Sequence, residues 1–409
     1  MINLKSVKGV KIWWIQFPIQ LQVITKIRFF AAFGAGGGIY LTSLIFYKIG
    51  LSATEIGLGF TFSAIIGTLT RIITGNYLNK SRNLIQPFQI SSILSILSSI
   101  LLIVSKDTSL YLLGQSFVGA AAGIYWPTAE LAVPYLCHPI EPQKAYSLVR
   151  SSEALGIFLG VFIGSIINSL IYFKSIYFND ILCMIIIIML VVNNRYLILS
   201  AMKNYEEKSN YESNTDKNKW NKNTKLIIIS IVLLTTCLAL IQVTLPLDFV
   251  KGGIIRESIS KSKISFIVSV QLILLFILQW PIGNWLSNKG KLFGLKFSLI
   301  NFFLCTILLF IASYTKLIGF YLMLLAIIFC SIGASAFLPS SSDIVFKIAP
   351  ENKKGFALAL LSQCFAIGYF IGPLISGKIL DFYGNASTIW ITISFACLII
   401  SIIMIKKEY

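Results

Sequence analysis

The stretch TGNYLNKSRN at residues 74–83 has a partner 208 positions later, IGNWLSNKGK at residues 282–291. In both, an apolar run of helical length ends on Gly-Asn, an aromatic residue and Leu, then breaks into basic loop residues. The first copy carries Gly75, Asn79, Lys80 and Arg82; the second carries Gly283, Lys289, Gly290 and Lys291. The correspondence continues outward. Pro127 matches Pro339, Gly156 matches Gly368 and Gly160 matches Gly372, each at an offset of 212, so four extra residues in the intervening loops bring both sets into one register. A series of matches in the same order, at corresponding helix ends, means that the chain is built twice on one pattern.

What repeats is a set of membrane spans. Of 409 residues, 56% are hydrophobic and only 12% are charged, about half the charged share of an ordinary soluble domain. A spanning helix takes ~20 apolar residues. Dividing the chain at its Gly, Pro and charge clusters leaves twelve such runs, at roughly 20–47, 53–78, 84–105, 109–137, 143–172, 174–194, 226–249, 264–286, 292–313, 317–346, 354–379 and 385–405. The expected fold is all-α and integral to the membrane, with twelve transmembrane helices in two pseudo-symmetric six-helix halves, 1–199 and 226–409. Between them, residues 200–225 are rich in Asn, Lys and Glu. They have too little apolar surface to fold by themselves and read as a cytoplasmic linker.

Basic residues concentrate on the side that holds this linker and both termini. The positive-inside rule makes that side cytoplasmic, in a plasma or inner membrane. On this count Lys26 and Arg28 stand at the foot of the first helix and Arg256 in an outer loop. Trp13 and Trp14, beside basic residues, suit an interfacial segment, and no removable signal peptide is expected. The net charge of +18 does not make a nucleic-acid surface, because the charges lie in gaps between apolar runs. The seven cysteines and the single histidine, His138, show no ligand spacing, so neither a metal nor a cofactor is expected and the cysteines read as packing groups.

Charge inside a membrane costs roughly 3 kcal/mol or more per residue, so ionisable side chains at depth need partners and a purpose. With loops and span ends set aside, Arg71, Glu130, Arg150, Glu153 and Asp343 remain. Glu130 on the fourth span and Arg150 and Glu153 on the fifth fall at similar depth on helices joined by a short turn. One arginine facing two carboxylates leaves one negative charge over, available to a coupling proton or a substrate; the alternative is a fixed ion-pair network locking the two helices. Arg71, one turn before Gly75, suits a gate or a substrate ligand. Asp343 and Lys347, spaced i, i+4, suit a local ion pair. Tyr125, Trp126, Gln242, Gln271 and Gln363 provide aromatic walls and amides of the kind that line a site for an amphipathic organic solute, or else ordinary packing.

The run Gly50–Asn83 and its second-half echo resemble the second helix and loop motif of the major facilitator superfamily, and the likeness covers nearly the whole chain. Asn79 and Ser287 stand where that loop carries an acid, so its latch is expected to rest on neutral hydrogen bonds. Gly156, Gly160 and Gly164 on the fifth span, and Gly368, Gly372, Pro373 and Gly377 on the eleventh, resemble the family's glycine motif for close helix approach. Gly160 and Gly372 are expected to face helices across the boundary between the halves. Gln115, four residues before Gly119, stands where the family's drug exporters often carry arginine. The resemblance implies a secondary transporter rather than an enzyme. It would act as a monomer in the lipid bilayer on a small-molecule substrate by alternating access, with protons as the candidate coupling ion. Ion-coupled efflux of a small organic solute is the first expectation and proton-coupled uptake the second; a membrane-embedded transferase or a non-transporting sensor is more distant.

The charge asymmetry predicts that a tag placed in the 200–225 linker is shielded in sealed, right-side-out cells, while a cysteine replacing Arg256 is labelled from outside. Labelling of the linker instead would invert the orientation.

Overall fold

The computed structural model describes residues 13–406 except 52, 82, 171–173, 212–223, 291 and 317. The described residues form fourteen α-helices and no strand. The first half holds α1 (Ile19–Ile49), α2 (Ala53–Ser81), α3 (Ile85–Val104), α4 (Thr108–Leu136), α5 (Pro142–Leu170) and α6 (Ser175–Asn193). Then come α7 (Arg195–Tyr211), α8 (Thr224–Ala239), α9 (Leu245–Lys251), α10 (Lys261–Leu286), α11 (Phe293–Ser313), α12 (Gly319–Ile348), α13 (Lys354–Tyr383) and α14 (Ser387–Lys406). A π-helical turn at Leu240–Thr244 joins α8 to α9, so these three pieces make the seventh span. Eight of the described spans are long and apolar enough to cross a membrane by length and composition. Helix is the required solution in lipid, where each backbone N–H and C=O must find its partner within the segment. Many hydroxyls follow the same rule: Thr25, Thr74 and Thr306 each donate to the carbonyl four residues back and so are satisfied within their own helices.

The chain divides into two compact units, Met1–Lys219 with Ala349–Leu360, and Trp220–Ile348 with Leu361–Tyr409. Within the first, α1 packs on α5 and α6, α3 on α4 and α6, and α2 on α4. Within the second, α10 packs on α12 and α11 on α12 and α14, the same pairings at the corresponding places. The repeat read in the sequence is thus a repeat of helix neighbours. The described part of the expected linker is not free chain. It continues α7, whose Ile198 and Met202 are buried, with the Tyr205 ring tilted against that of Tyr135 at 4.6 Å and its hydroxyl accepting a hydrogen bond from Lys354 Nζ. A few apolar side chains thus dock a segment too polar to fold alone.

Two expectations are corrected. The glycine stripes serve contacts inside each unit rather than between the halves. A Cβ on Gly156 would stand 2.6 Å from the Phe29 carbonyl oxygen, and one on Gly160 would run into the carbonyl of Phe33, both on α1. On α13, Gly368 abuts Thr235 and Thr236 of α8, and a Cβ on Gly372 would meet Thr236 Cγ2 at 3.3 Å. The surroundings of Gly164, Pro373 and Gly377 lie outside the described residues. The second correction concerns Arg256, which is 5% exposed and donates from Nη2 to Asp248 Oδ2 at 3.0 Å and to the Asp248 carbonyl at 2.9 Å. Asp248 also accepts from the Ala386 and Trp390 nitrogens, fastening the end of α9 to the start of α14. Lys316, exposed and paired with Glu257 at 2.8 Å, is therefore the more accessible position for the labelling expected of that side.

Because the obstacle at Gly160 is backbone while that at Gly372 is a side-chain methyl that need give way by only a few tenths of an ångström, Gly160→Ala should lower the melting temperature in detergent by several degrees. Gly372→Ala should change it little. Equal melting of the two variants would refute this account of the stripes.

Candidate functional site

Four charged side chains meet inside the first unit: Arg28 of α1, Glu130 of α4, and Arg150 and Glu153 of α5. Arg28 Nη2 lies 2.5 Å from Glu130 Oε1 and its Nε 2.9 Å from Glu153 Oε2. Arg150 Nη2 lies 2.8 Å from Glu130 Oε1 and its Nη1 3.1 Å from Glu153 Oε2. Each arginine touches both carboxylates, so the four form a closed ring across three helices, and none is more than 9% exposed. Sequence reasoning assembled Glu130, Arg150 and Glu153 but put Arg28 at the helix foot and so counted one negative charge over. With Arg28 nine residues inside α1, two positive charges meet two negative ones and the site is balanced. The available signal was the spacing of Arg28, Ala31, Ala32 and Ala35, a single helical face on which small residues follow the charge.

The backbone around Glu130 is built for this role. Pro134 stands four residues on and has no N–H, so it cannot bond the Glu130 carbonyl as helix geometry would otherwise require. Tyr146 of α5 supplies the missing donor, its hydroxyl lying 2.9 Å from that oxygen. Proline inside α4 thereby becomes a second tie between α4 and α5, next to the ion pairs.

Above the ring lies a cavity of about 120 Å³. Its walls are helical stripes: Arg28, Ala31, Ala32 and Ala35 of α1; Val118, Ala121, Ala122 and Tyr125 of α4; Ser91 and Ser95 of α3; Glu153 and Ile157 of α5. Trp126 and Met184 complete it. The Arg28 guanidinium stands 4.8 Å above the Trp126 ring, a cation–π contact that turns the indole into part of the charged floor. Tyr125 packs edge-on to Trp126 and to Phe88, and its buried hydroxyl makes no hydrogen bond among the described residues. The small side chains leave the space, the aromatic pair shapes it, and Arg28 and Glu153 present opposite charges to whatever enters.

The other candidates lie apart from this ring. Arg71 is half-buried on α2, its Nη1 3.2 Å from where a Gly67 Cβ would point. In the loop motif, Asn79 Oδ1 accepts from Phe356 N at 3.0 Å, and Gly75 lies under Ala359 so closely that its own Cβ would stand 2.7 Å away; both partners belong to the first unit. Lys80 is exposed, and Arg82 and Lys291 fall outside the described residues. In the second copy Gly283 is buried, Gly290 has open space around it, and Lys289 stands 5.5 Å over Trp285. Gln242, on the π-helical turn, accepts from the Tyr369 hydroxyl at 2.8 Å. Gln271 Nε2 lies 3.8 Å from Cys330 Sγ, and Gln363 is half-buried on α13. Asp343 and Lys347 form the expected i, i+4 pair at 2.7 Å. Two buried acids were missed: Asp248, described above, and Asp180 of α6.

A closed ring of charges makes a test by compensation. Removing one member of a buried ion pair commonly costs about 3–5 kcal/mol, so Arg28→Ala should melt well below wild type. Adding Glu153→Gln to it should recover part of the loss, because Arg150 and Glu130 are then left as a balanced pair. A double variant no more stable than Arg28→Ala alone would show that charge balance does not govern this site.

The model of the Major Facilitator Superfamily matches residues 27–252 and 227–408. Among curated proteins, the Multidrug resistance protein MdtG of Rahnella sp. (strain Y9602) is 25% identical over 196 residues, 47% of this chain and 46% of that protein. MdtG of Yersinia enterocolitica is 33% identical over 75 residues, 18% of each chain. The leading alignments thus span about half the length of the curated relatives. Among solved structures, the transporter FucP in the outward conformation superposes with a TM-score of 0.71 at 14% identity, over 93% of this chain and 97% of that one. A second structure, of the E. coli fucose:proton symporter FucP, gives 0.70 at 15% identity, over 94% and 97%. The doubled six-helix pattern, its loop copies and these matches agree: the chain is a multi-pass membrane protein that belongs to the Major Facilitator Superfamily of transporters.

Proposed function

We propose that this transporter is an ion-coupled efflux permease for a small amphipathic organic solute, working as a monomer in the plasma or inner membrane with both termini cytoplasmic. The observation that carries the reading is the cavity above the charge ring. Tyr125, Trp126 and the alanine stripes suit an apolar body, while Arg28, Glu153 and the Ser91 and Ser95 hydroxyls offer partners to a polar end. A solute with a charged or strongly hydrogen-bonding group competes with one member of the ring for its partner. Binding would therefore change the contacts that hold α1, α4 and α5 together, the differential interaction that alternating access needs. Glu130 and Arg150 are the inner pair that keeps the ring from opening unprompted. Arg71 and the loop residues Gly75, Asn79 and Lys80 are assigned to gating at the inner face. In the second unit Gln242, paired with Tyr369, is the first candidate for a polar solute contact, followed by Gln271 and Gln363.

Export is favoured by the curated relatives, which carry the name multidrug resistance protein. Proton-coupled uptake is the second reading; FucP, the fold neighbour, is a fucose:proton symporter. The two are separated by vesicle sidedness. With an imposed pH gradient, inside-out vesicles should concentrate amphipathic fluorescent dyes such as ethidium, and Trp126→Ala should cut the initial rate about tenfold or more. Concentration by right-side-out vesicles alone would establish uptake, and failure of every dye and metabolite in either orientation would refute the transport reading of the cavity.

A further inference from the structure

Asp180 takes no part in the charge ring. It lies in the second turn of α6 and is 8% exposed. Its Oδ2 accepts hydrogen bonds from two hydroxyls one turn apart on α3, Ser95 at 2.9 Å and Ser99 at 2.7 Å. Its Oδ1 has no hydrogen-bond partner among the described residues. That oxygen points at α1 where the chain has Gly34: a Cβ there would stand 2.8 Å from Oδ1 and 3.0 Å from Cys183 Cβ. A larger residue would push the carboxyl out of its place.

No lysine or arginine among the described residues bonds this carboxyl, and each element packed on α6 shows why. Helix α3 carries no charged residue along its whole length. The nearby charges of α1 and α5, Arg28, Arg150 and Glu153, are committed to the ring. On α6 itself the titratable neighbours are Cys183 and Tyr177, the latter hydrogen-bonded to Thr42 at 2.9 Å. Lys174, before the helix, donates to the carbonyls of Ile103 and Ser105. A carboxylate at this depth costs roughly 3 kcal/mol or more, and among the described residues its hydrogen-bond partners are two neutral hydroxyls. One of them has a second position: Ser95 also lines the cavity, so the group holding Asp180 is within reach of what fills that space.

We propose that Asp180 is a proton-binding site that exchanges with the cavity through Ser95 and, resting on the ion-coupled reading above, carries the coupling proton. Uptake forms one O–H bond on the Asp180 carboxyl as a hydronium ion in the cavity water gives up one of its O–H bonds and is left as water; release reverses this exchange, and no electron is transferred. The balanced ring then supplies rigidity and solute contact, and Asp180 supplies the proton count.

Two readouts separate the site from its coupling. In reconstituted membranes, infrared difference spectra between acid and alkaline buffer should contain a carboxylic C=O band that disappears in Asp180→Asn. Should that variant fold poorly, Ser99→Ala should move the pH at which the band titrates. A band that persists in Asp180→Asn, or titrates unchanged in Ser99→Ala, overturns the proton site. In proteoliposomes containing the pH dye pyranine, ethidium added to the wild type should drive a proton flux. Asp180→Asn should abolish that flux while keeping ethidium exchange at equilibrium within about twofold of wild type. A variant that still moves protons overturns the coupling role of Asp180. A wild type without proton flux refutes the ion-coupled reading itself, and the infrared band then decides the proton site alone.

Discussion

Charge at membrane depth must be cancelled where it stands, and in this chain the cancellation is a ring of two arginines and two glutamates. Each arginine bonds both carboxylates at 2.5–3.2 Å, so no single member can be neutralised or removed without leaving an excess charge in low dielectric. The ring also fixes geometry. It draws α1, α4 and α5 to one point, the Pro134–Tyr146 exchange adds a neutral tie beside it, and the small residues above it leave a cavity rather than filling one. Structure and candidate function share a single cause: the side chains that neutralise one another also form the floor of the cavity.

Much of the fold was legible because it depends on long-range statistics of simple properties. Twelve apolar runs, a polar break near the middle and two copies of a loop are additive signals, and the likeness to FucP over 93% of the chain agrees with them. The glycine stripes announced close helix approach but not with whom. Gly160 against Phe33 and Gly368 against Thr235 are contacts inside each unit, and spacing along one helix carries no information about which neighbour fills its groove.

The site was legible in proportion to how far each charge stood from a helix end. Glu130, Arg150 and Glu153 lie well inside apolar runs and were found. Arg28 was not, because Gln20, Gln22 and Lys26 make the first turns of α1 look like a polar foot. Asp180, Asp248 and Arg256 were likewise read as span ends or loop residues although each is buried. The cost was chemical as well as positional. Omitting Arg28 turned a neutral ring into a negatively charged one, whose surplus charge was then open to a coupling proton or a substrate; the carboxyl without a cationic hydrogen-bond partner among the described residues is Asp180, one helix away.

The central claim is that the cavity bounded by the ring is where solute binds. Its most direct test is the alkylation rate of a cysteine replacing Ala122, on the cavity wall, in a background whose seven native cysteines are replaced. A solute identified by the vesicle screen should slow that reaction with a half-saturation equal to the one it shows in transport, and should leave a cysteine replacing the exposed Lys316 unaffected. An alkylation rate at position 122 indifferent to saturating solute would contradict the account.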